Sequence, residues 1–357
     1  MKTLSKFLLF STLTLVYSCK QEPQTKAENQ KKEFSSSTKE INTSGMIWIP
    51  AGKYIIGTND TNANPTEAKG YEVVVSGYWI DETEVTNAQF RKFVDATGYV
   101  TVAERPVDWE EIKKQLPEGT PKPDESLLQP GSMIFEPQEV ANLYDISQWW
   151  KWELGADWKH PHGPDSNIDG KDDHPVVQIA FEDAQAYAEW AGKELPTEVQ
   201  WEIASRGGKN LRAFAWGDQL TPDGKYLANF FQGTFPKHNS QADGYATTAP
   251  VKSYPPNDFG LYDMIGNVWE WTKDWYRIDT HNKNQKLANI SVCNNPQGPQ
   301  SSMDPLDPLV PKRVTKGGSF LCTDQYCSNY RPSARMATAF DSGQEHLGFR
   351  CVINKSN

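Results

Sequence analysis

The residues best suited to chemistry lie near the end of the chain, in the stretch KGGSFLCTDQYC at positions 316–327. Cys322 and Cys327 stand five positions apart there, just after a glycine pair. Two thiols at such a spacing can close a disulfide, exchange with other thiols as a redox pair, or bind a soft metal ion as thiolates. The three uses make different demands on the rest of the chain.

A disulfide persists in an oxidising compartment, although closing so short a loop stabilises a fold less than closing a long one. A metal site needs thiolates, and two of them suit Cu(I), which accepts a nearly linear pair of ligands. An oxidised pair that is reduced before the metal enters would combine both uses. The spacing by itself leaves a disulfide and a thiolate metal site open.

The first 19 residues, MKTLSKFLLFSTLTLVYSC, predict an export signal, because two lysines precede an apolar run at positions 7–16. The run is too short to span a bilayer. Cys19 follows it as in a bacterial lipoprotein cleavage site, so we expect Cys19 to become a lipidated N-terminus. That predicts a membrane-anchored lipoprotein facing the periplasm or the cell exterior; the alternative is ordinary secretion with no role for Cys19.

Residues 20–44 are polar and have almost no large apolar side chains, which predicts a tether between the signal at 1–19 and a folded domain at 45–353. The chain of 357 residues has 13 Trp, 25 Gly and 24 Pro, a composition typical of a loop-rich, aromatic domain. The net charge of -10 argues against nucleic acid as a partner, because phosphates require a basic face.

Several elements can be predicted around these residues. The stretches at 86–98 and 197–208 each begin with Thr, carry Gln three positions later and end in Gly, which predicts capped helices. The stretch FEDAQAYAEWAG at 181–192 places its apolar side chains on one helical face. The stretches 46–57 and 71–86 read as strands and turns, and the remainder is expected to be mostly loop.

Two long segments interrupt this pattern. The segment 104–175 is rich in Pro and Trp, and an insertion of that size is uncommon unless it has a function. Its Trp cluster is a candidate recognition surface, although Trp under long loops is more often local core. The polar segment 276–312 is expected to be a surface loop.

A series of motifs, in order from residue 45 to residue 352, resembles the formylglycine-generating enzyme (sulfatase-modifying factor) family. They include GMIWIPAGKYIIG, YWIDETEVTNAQFRKFV, HPVVQIAFEDAQAYAEWAGKELPTEVQWEIASRGG, APVKSYPPNDFGLYDMIGNVWEWTKDW, KGGSFLC and LGFRC. The resemblance covers nearly all of the expected folded chain. It implies one compact α/β domain with little regular secondary structure, of the C-type lectin-like superfamily.

The resemblance also implies an enzyme: a copper-dependent oxidase that converts the cysteine of a Cys-x-Pro-x-Arg segment in an unfolded sulfatase to Cα-formylglycine, using O2 and a thiol reductant. Its copper(I) would be bound by Cys322 and Cys327, the pair that genuine members carry after KGGS. Ser319 and Tyr326 match positions that line the family's active site, and Trp269 matches a pocket aromatic. On the residues alone, Ser319 satisfying a turn, and Tyr326 and Trp269 packing in the fold, remain equally simple accounts.

Two sets of oxygen ligands match the family's Ca2+ sites, and calcium prefers such mixed carboxylate, amide and carbonyl donors. The first set is Asn229, Phe230, Asp243 and Tyr245, and the second is Asp263, Gly266, Val268 and Glu270. Neither set has the spacing of an EF-hand loop. The alternative is that Asp243 and Asp263 only cap turns.

Two disulfides common in the family are absent. In relatives Cys351 often pairs with a cysteine at the position of Ala188, and Ala204 and Pro332 stand at the sites of the second bridge. Cys293 is therefore expected to bond Cys351 or to be a free thiol.

The competing function is a non-catalytic, lectin-like binding lipoprotein on the same scaffold, because a shared scaffold is weak evidence of activity. A dithiol redox protein is a third possibility. For an enzyme, an extended substrate requires a groove, its arginine requires carboxylates, and the segment 104–175 is the candidate wall.

Overall fold

The computed structural model describes residues 42–60, 63–67, 69–289 and 291–355. The predicted signal, the lipidation site Cys19 and most of the predicted tether lie outside these ranges. Thr43–Asn357 form one compact unit. Among the described residues, no helix has the length and apolar character needed to cross a membrane.

The described chain has fourteen short strands and five α-helices. The strands are β1 (Met46–Ile49), β2 (Gly52–Ile56), β3 (Tyr71–Val75), β4 (Tyr78–Asp81), β5 (Gly131–Phe135), β6 (Trp150–Leu154), β7 (Gly233–Thr234), β8 (His238–Asn239), β9 (Trp269–Trp275), β10 (Cys293–Asn294), β11 (Lys312–Lys316), β12 (Met336–Ala339), β13 (Leu347–Gly348) and β14 (Val352–Asn354). The helices are α1 (Asn87–Thr97), α2 (Trp109–Ile112), α3 (Phe181–Trp190), α4 (Glu198–Ser205) and α5 (Thr280–Ala288).

The strands form small sheets rather than one large one. One sheet has the order β1-β4-β14, a second β10-β3-β2, and a third of four strands β12-β11-β9-β13. The hairpins β5–β6 and β7–β8 stand apart from them. This is the expected mixed α/β class with little regular structure.

The capping signals confirm the predicted helix ends. Thr86 accepts the Gln89 N–H while Gln89 Oε1 accepts the Thr86 N–H, and Gly98 ends α1 with φ of 67°. The same reciprocal pair starts α4, between Thr197 and Gln200. Helix α4 lies against β2, β9 and β11, whereas α1 packs against α3.

The two long segments contain more structure than expected. In 104–175, β5 and β6 pair antiparallel with Met133 opposite Trp152 and Phe135 opposite Trp150. In 276–312, which was expected to be a surface loop, α5 forms and buries His281 between Tyr71 and Glu198. That expectation was wrong because the buried partners of His281 lie far away in the sequence.

The third sheet positions the candidate site. Its central strands β9 and β11 pair antiparallel, and β13 adds to β9 in parallel, with Leu347 opposite Trp269. The chain leaves β11 directly into the cysteine loop. It also enters β13 from residues 340–346, so both approaches to the site start from one sheet.

Candidate active site

A glycine turn delivers the cysteine loop from the end of β11. Gly317 and Gly318 have φ values of 97° and 74°, and a Cβ on Gly318 would lie 2.9 Å from the Tyr330 nitrogen. A larger residue would therefore be strained and would collide with the backbone. After the turn, the Phe231 N–H donates to the Cys322 carbonyl at 2.9 Å, which fixes the loop against a neighbouring segment.

The two thiols of the loop lie side by side. The sulfur atoms of Cys322 and Cys327 are 2.8 Å apart, and both cysteines are free. Cys322 is 1% exposed, whereas Cys327 is partly exposed on a loop whose residues 324–326 are exposed. The pair therefore meets at the surface and extends inward.

The pKa values of the two thiols are shifted in opposite directions. The hydrogen bond from Cys322 lowers the pKa of Cys327, and the Asn329 amide supports this by donating to Cys327 Sγ at 3.3 Å. Burial raises the pKa of Cys322 well above its usual value, and the neighbouring Cys327 raises it further. The sulfur with the lowered pKa, that of Cys327, is thus on the partly exposed side of the pair.

As a donor set, the pair fits a soft monovalent metal ion. In the described ranges no three His, Cys, Asp or Glu side chains converge as metal ligands, so this chain offers two sulfurs and the remaining position would go to a guest. At 2.8 Å the two sulfurs are hydrogen-bonded to each other, so a metal ion bound by both would take the place of that hydrogen bond.

Ser319 lies under the pair and has a partner that the sequence did not reveal. Its Oγ is 3.0 Å from His346 Nδ1 and accepts the Leu321 N–H at 3.2 Å. His346 Nε2 contacts Gln344 Oε1 at 3.0 Å, and burial lowers the pKa of His346 to about 3. The imidazole is therefore neutral and links Gln344 to Ser319.

The amide of Gln344 decides the direction of this chain of hydrogen bonds. With Oε1 facing His346, Nε2 carries the proton and Nδ1 is an acceptor, so Ser319 donates to His346. In that state the Ser319 oxygen can only accept hydrogen bonds from its other neighbours, such as the Leu321 N–H. No local signal marks His346 in the sequence, because its partner is 27 positions away.

Tyr326 forms the outer wall of the site. It is 40% exposed, its ring stacks on Phe235 at 5.1 Å, and Trp149 meets it edge-on at 5.4 Å. Burial raises the pKa of Tyr326 to about 12, so the phenol stays protonated at the mouth of the site. Trp269, in contrast, is 1% exposed and belongs to the core beneath.

The first predicted calcium set is brought together beside the cysteine loop. Asp243 accepts the N–H groups of Phe230 at 2.9 Å and Tyr245 at 3.1 Å, so the carboxylate organises both segments. Asn229 Oδ1 is buried, and within the described part of the chain no donor reaches it. The Gln232 amide contacts the Phe230 carbonyl and Asp243 Oδ2, the oxygens a cation would bind. With the Asn229 oxygen unpartnered the set fits calcium, which would take the place of the Gln232 amide group.

The second predicted set is less free. Asp263 Oδ1 is buried without a hydrogen-bond partner among the described residues, which fits a cation. Glu270, however, accepts Arg350 Nε at 2.7 Å, Arg350 Nη2 at 2.8 Å and Trp201 Nε1 at 2.8 Å. The Arg350 guanidinium already neutralises the Glu270 carboxylate, so Glu270 is not available as a charged ligand. The carbonyls of Gly266 and Val268 therefore lack a free carboxylate from Glu270.

The other two described cysteines do not meet. Cys293 is in β10 and contacts the Asn284 carbonyl, whereas Cys351 is fully buried in the core cluster that also contains Ala188. Both are free thiols. Of the two expectations for Cys293, the free thiol is confirmed and the bond to Cys351 was wrong.

Comparisons with known proteins cover most of the chain. The family model of the "Sulfatase-modifying factor enzyme 1-like domain" matches residues 30–355. The formylglycine-generating enzyme of Mycobacterium tuberculosis is 44% identical over 314 residues, covering 87% of this chain and 97% of that protein. The protein of Mus musculus named inactive C-alpha-formylglycine-generating enzyme 2 is 33% identical over 310 residues, covering 86% and 85%.

Among solved structures, PvdO from Pseudomonas aeruginosa matches with a TM-score of 0.51 at 20% identity, covering 87% of this chain and 94% of that chain. At this identity the likeness concerns the fold alone. The sequence relatives include proteins named formylglycine-generating enzyme and proteins named inactive, so the geometry of the site has to separate the two possibilities.

Proposed function

The chain belongs to the sulfatase-modifying factor (formylglycine-generating enzyme) family, and from this we propose that it oxidises a cysteine of an unfolded sulfatase to Cα-formylglycine. The observation that carries the proposal is the pair of free thiols, Cys322 and Cys327, 2.8 Å apart with one of them reaching the surface. A binding module on the same scaffold has no use for such a pair. The substrate is the cysteine of a Cys-x-Pro-x-Arg segment.

The overall reaction balances with O2 and two equivalents of an external thiol. The substrate thiol and the methylene that carries it lose two hydrogens to give a thioaldehyde, and water replaces its sulfur with oxygen, releasing hydrogen sulfide. O2 accepts these two electrons and two more from the external thiols, which become a disulfide. The net products are the aldehyde, hydrogen sulfide, one water and the disulfide.

Cu(I) bound by Cys322 and Cys327 would supply the electron transfer to O2, which no protein side chain offers. The residues of this chain do the rest. Cys327 is partly exposed and accepts hydrogen bonds from Cys322 and Asn329, which lower its pKa and favour the thiolate that binds a metal ion. A substrate thiol enters from that side, past the Tyr326 phenol, which remains a hydrogen-bond donor near the loop.

Beneath the pair, Ser319 and His346 hold Cys322. Ser319 is fully buried and its carbonyl accepts the Cys322 N–H at 2.9 Å, so it sets the position of this sulfur. Trp149 and Phe235 pack around Tyr326 and limit the water that reaches the loop. The chain thus provides a guest position with a thiolate, a phenol and an apolar wall.

The decisive experiment is the conversion of a Cys-x-Pro-x-Arg peptide by the full chain with Cu(I), a thiol and air, followed by mass spectrometry. We expect the peptide to lose its sulfur and gain one oxygen, and to gain reactivity toward aldehyde reagents. Cys322→Ser and Cys327→Ser should abolish conversion and one equivalent of Cu(I) binding. Cys293→Ser, a partly buried thiol outside the site, is the matched control and should retain both.

A lectin-like module would be indifferent to Cys322→Ser and Cys327→Ser. The enzyme proposal would be wrong if the wild type converted no peptide and both variants bound as much copper as the wild type. Exchange of disulfides without O2 consumption would instead favour a redox pair.

We also propose that calcium binds the first oxygen set, Asn229, Phe230, Asp243 and Tyr245, and braces the cysteine loop through the Phe231 N–H. A ligand at a hundred times its Kd stabilises the folded state by about 2.7 kcal/mol, which is several degrees of Tm. We expect Ca2+ to raise Tm over a chelated sample, and Asp243→Asn to remove most of the rise. Asp263→Asn tests the second set and should retain the rise, because Glu270 is engaged by Arg350.

The export signal and Cys19 support a further part of the proposal, that the enzyme is anchored to a membrane by a lipid and meets sulfatases outside the cytoplasm. Labelling of the full-length protein with a fatty acid analogue, lost in Cys19→Ala, tests this.

A further inference from the structure

Arg331 is a buried cation close to the thiol pair. It follows Cys327 in the sequence by four positions and is 7% exposed. Its Nε donates to the Ser328 carbonyl at 3.0 Å, so one end of the guanidinium is fixed to the residue that comes directly after Cys327. Because neighbouring Cα atoms are about 3.8 Å apart, this places the positive charge within about 10 Å of the Cys327 sulfur.

The other end of the guanidinium faces a buried carboxylate. Arg331 Nη2 donates to Glu67 Oε1 at 2.5 Å, and the Glu67 side chain is fully buried. Glu67 also accepts the Ser333 hydroxyl at 2.5 Å and the Asn64 N–H at 3.0 Å. Arg331 therefore lies between the cysteine loop and Glu67, and both can draw on its charge.

Two further carboxylates belong to the surroundings of this charge. Asp60 Oδ2 is 3.8 Å from Arg331 Nη1, on the same side as Glu67. Asp324 is in the exposed part of the cysteine loop itself. The positive charge of Arg331 is thus set among acidic groups, so the loss of any one of these carboxylates would leave more of it for the sulfurs.

The charge of Arg331 acts on the sulfur of Cys327. The two hydrogen-bond donors to that sulfur, Cys322 and Asn329, are neutral groups. The hydrogen bond from Cys322 is the main cause of the lowered pKa of Cys327, and the positive charge of Arg331 lowers that pKa further. The backbone contact at Ser328 and the electrostatics therefore connect Arg331 to the same thiol.

A soft monovalent ion at the pair would create a negative charge there. Thiolates bind a metal ion after losing their protons. When one Cu(I) replaces the protons of both thiols, it brings a single positive charge to two negative sulfurs, so the pair keeps one negative charge. Cys322 is 1% exposed, and an uncompensated charge in such a place is costly. A cation held nearby reduces that cost.

We propose that Arg331 is the counter-charge of the thiolate pair when the pair holds Cu(I), and that Glu67 limits this effect by competing for the guanidinium. This inference rests on the proposed function, because it takes Cys322 and Cys327 as the copper ligands. Arg331 takes no part in the oxidation; it sets how tightly the pair holds the ion.

The test measures Cu(I) affinity by competition with a coloured chelator, at about pH 6, where an ordinary cysteine thiol is protonated. The full chain carries Cys293→Ser, so that this partly buried thiol cannot compete for copper. Arg331→Gln removes the charge, Arg331→Lys keeps it, and Glu67→Gln removes the competing carboxylate but keeps an acceptor for Arg331. Arg91→Gln is the matched control, because Arg91 forms a surface pair with Asp172 at 2.8 Å.

We expect Arg331→Gln to weaken Cu(I) binding about tenfold, since this is the size of the interaction between two unit charges at such a separation near a protein surface. Arg331→Lys should stay within about threefold of the wild type, because the charge is kept. Glu67→Gln should tighten binding by about threefold or more, because the whole charge of Arg331 then faces the pair. Arg91→Gln should leave the affinity unchanged.

The sign of the Glu67→Gln effect separates a role in charge from a role in support. If Arg331 and Glu67 only brace the cysteine loop, Glu67→Gln weakens Cu(I) binding as Arg331→Gln does, and this result would overturn the proposal. Equal affinities of the wild type and Arg331→Gln, or an equal loss in Arg331→Lys and Arg331→Gln, would overturn it too. Should Arg331→Gln fail to fold, the sign for Glu67→Gln decides.

Failure of the proposed function has a different signature, because Cu(I) affinity is measured without peptide and without turnover. A wild type that converts no Cys-x-Pro-x-Arg peptide, in a series that shows the expected affinities, would contradict the enzyme and keep Arg331 as the counter-charge. A wild type that converts the peptide, with no effect of Arg331→Gln on Cu(I) affinity, would do the reverse.

Discussion

At the scale of the residue, the geometry of the thiol pair depends on which buried polar atoms donate hydrogen bonds and which accept them. Ser319 has one proton and two candidate recipients, His346 Nδ1 and the sulfur of Cys322. Because His346 is neutral and its Nε2 donates to Gln344 Oε1, its Nδ1 accepts a hydrogen bond from the Ser319 hydroxyl. His346 is therefore a positioning residue, which acts on the thiol pair through Ser319.

This assigns an expected result to His346→Leu. Without the Nδ1 acceptor, the Ser319 hydroxyl is released to donate to the Cys322 sulfur, which changes the hydrogen bonding of the thiol pair. We expect kcat for peptide conversion to fall tenfold or more while KM changes little, because the loss concerns the reacting geometry and not substrate binding. Steady-state kinetics with a Cys-x-Pro-x-Arg peptide measure the two parameters.

His346→Asn is the matched control, because a side-chain amide places an acceptor or a donor close to the former Nδ1 and can keep Ser319 in place. It should recover most of the kcat lost in His346→Leu. If both variants lose activity in proportion to their loss of stability, His346 only fills the core.

Some residues of the site could be predicted from the sequence and others could not. The thiol pair and Ser319 were predictable because they lie within nine positions of each other, in KGGSFLCTDQYC. Asn329 and His346 were not, since each acquires its role only from a contact made by folding. The same is true of Arg350, which places its charge on Glu270 and thereby decides what the second oxygen set can bind.

At the scale of the element, the start of α4 is joined to β9 by a buried carboxylate. Asp274 of β9 accepts the Glu198 N–H at 2.8 Å, at the first residue of the helix. Burial, reinforced by the nearby Glu198 charge, raises the pKa of Asp274 from 3.8 to about 7. In the folded protein this carboxyl thus retains its proton at a pH where the unfolded chain has released it.

The protonation of Asp274 makes the free energy of unfolding depend on pH. Between about pH 4 and pH 7 the folded state binds one more proton than the unfolded state, so the contribution of Asp274 to the free energy of unfolding falls as the pH rises, by about 4 kcal/mol over the window. Asp274→Asn keeps the oxygen for the Glu198 N–H and cannot ionise. We expect it to resemble the wild type at pH 4–5 and to be more stable at pH 8.

Urea unfolding of both proteins at several pH values measures this difference. Parallel curves for wild type and Asp274→Asn across the whole range would contradict the assignment, and a variant less stable at pH 8 would reverse its sign.

Elements whose signals are local were predictable, and elements that depend on distant partners were not. The reciprocal Thr–Gln capping pairs of α1 and α4 each lie within four consecutive residues. The β5–β6 hairpin was hidden because Trp150–Leu154 alternates Trp with Lys and Glu inside a run of aromatic residues that also reads as a loop. The polar helix α5 depends on His281, whose partners Tyr71 and Glu198 come from other parts of the fold.

At the scale of the whole molecule, Arg350 connects segments that are far apart in the sequence. Its guanidinium donates to the Glu270 carboxylate of β9 and to the Tyr262 carbonyl, and it lies near the carbonyls of Asp81 and Glu82 at the end of β4. Arg350 is fully buried. One side chain thus ties two of the sheets and the loop between them.

Removing it should be costly. Arg350→Met leaves Glu270 buried without its partner, and breaking a buried pair on one side typically costs about 3–5 kcal/mol. We expect a fall of this size in the free energy of unfolding, measured by urea denaturation. Adding Glu270→Gln to Arg350→Met should recover part of the loss, because it removes the unpaired charge; a double variant no more stable than the single one would show that the hydrogen bonds to the carbonyls dominate.

The free state of all four described cysteines, at 293, 322, 327 and 351, has a consequence for the milieu in which the protein can work. The proposed turnover draws electrons from small sulfhydryl compounds, and the same compounds open accessible disulfides in proteins that have them. In the described part of this chain there is no such crosslink to open. Its architecture can therefore withstand the concentrations of reductant that its own chemistry consumes.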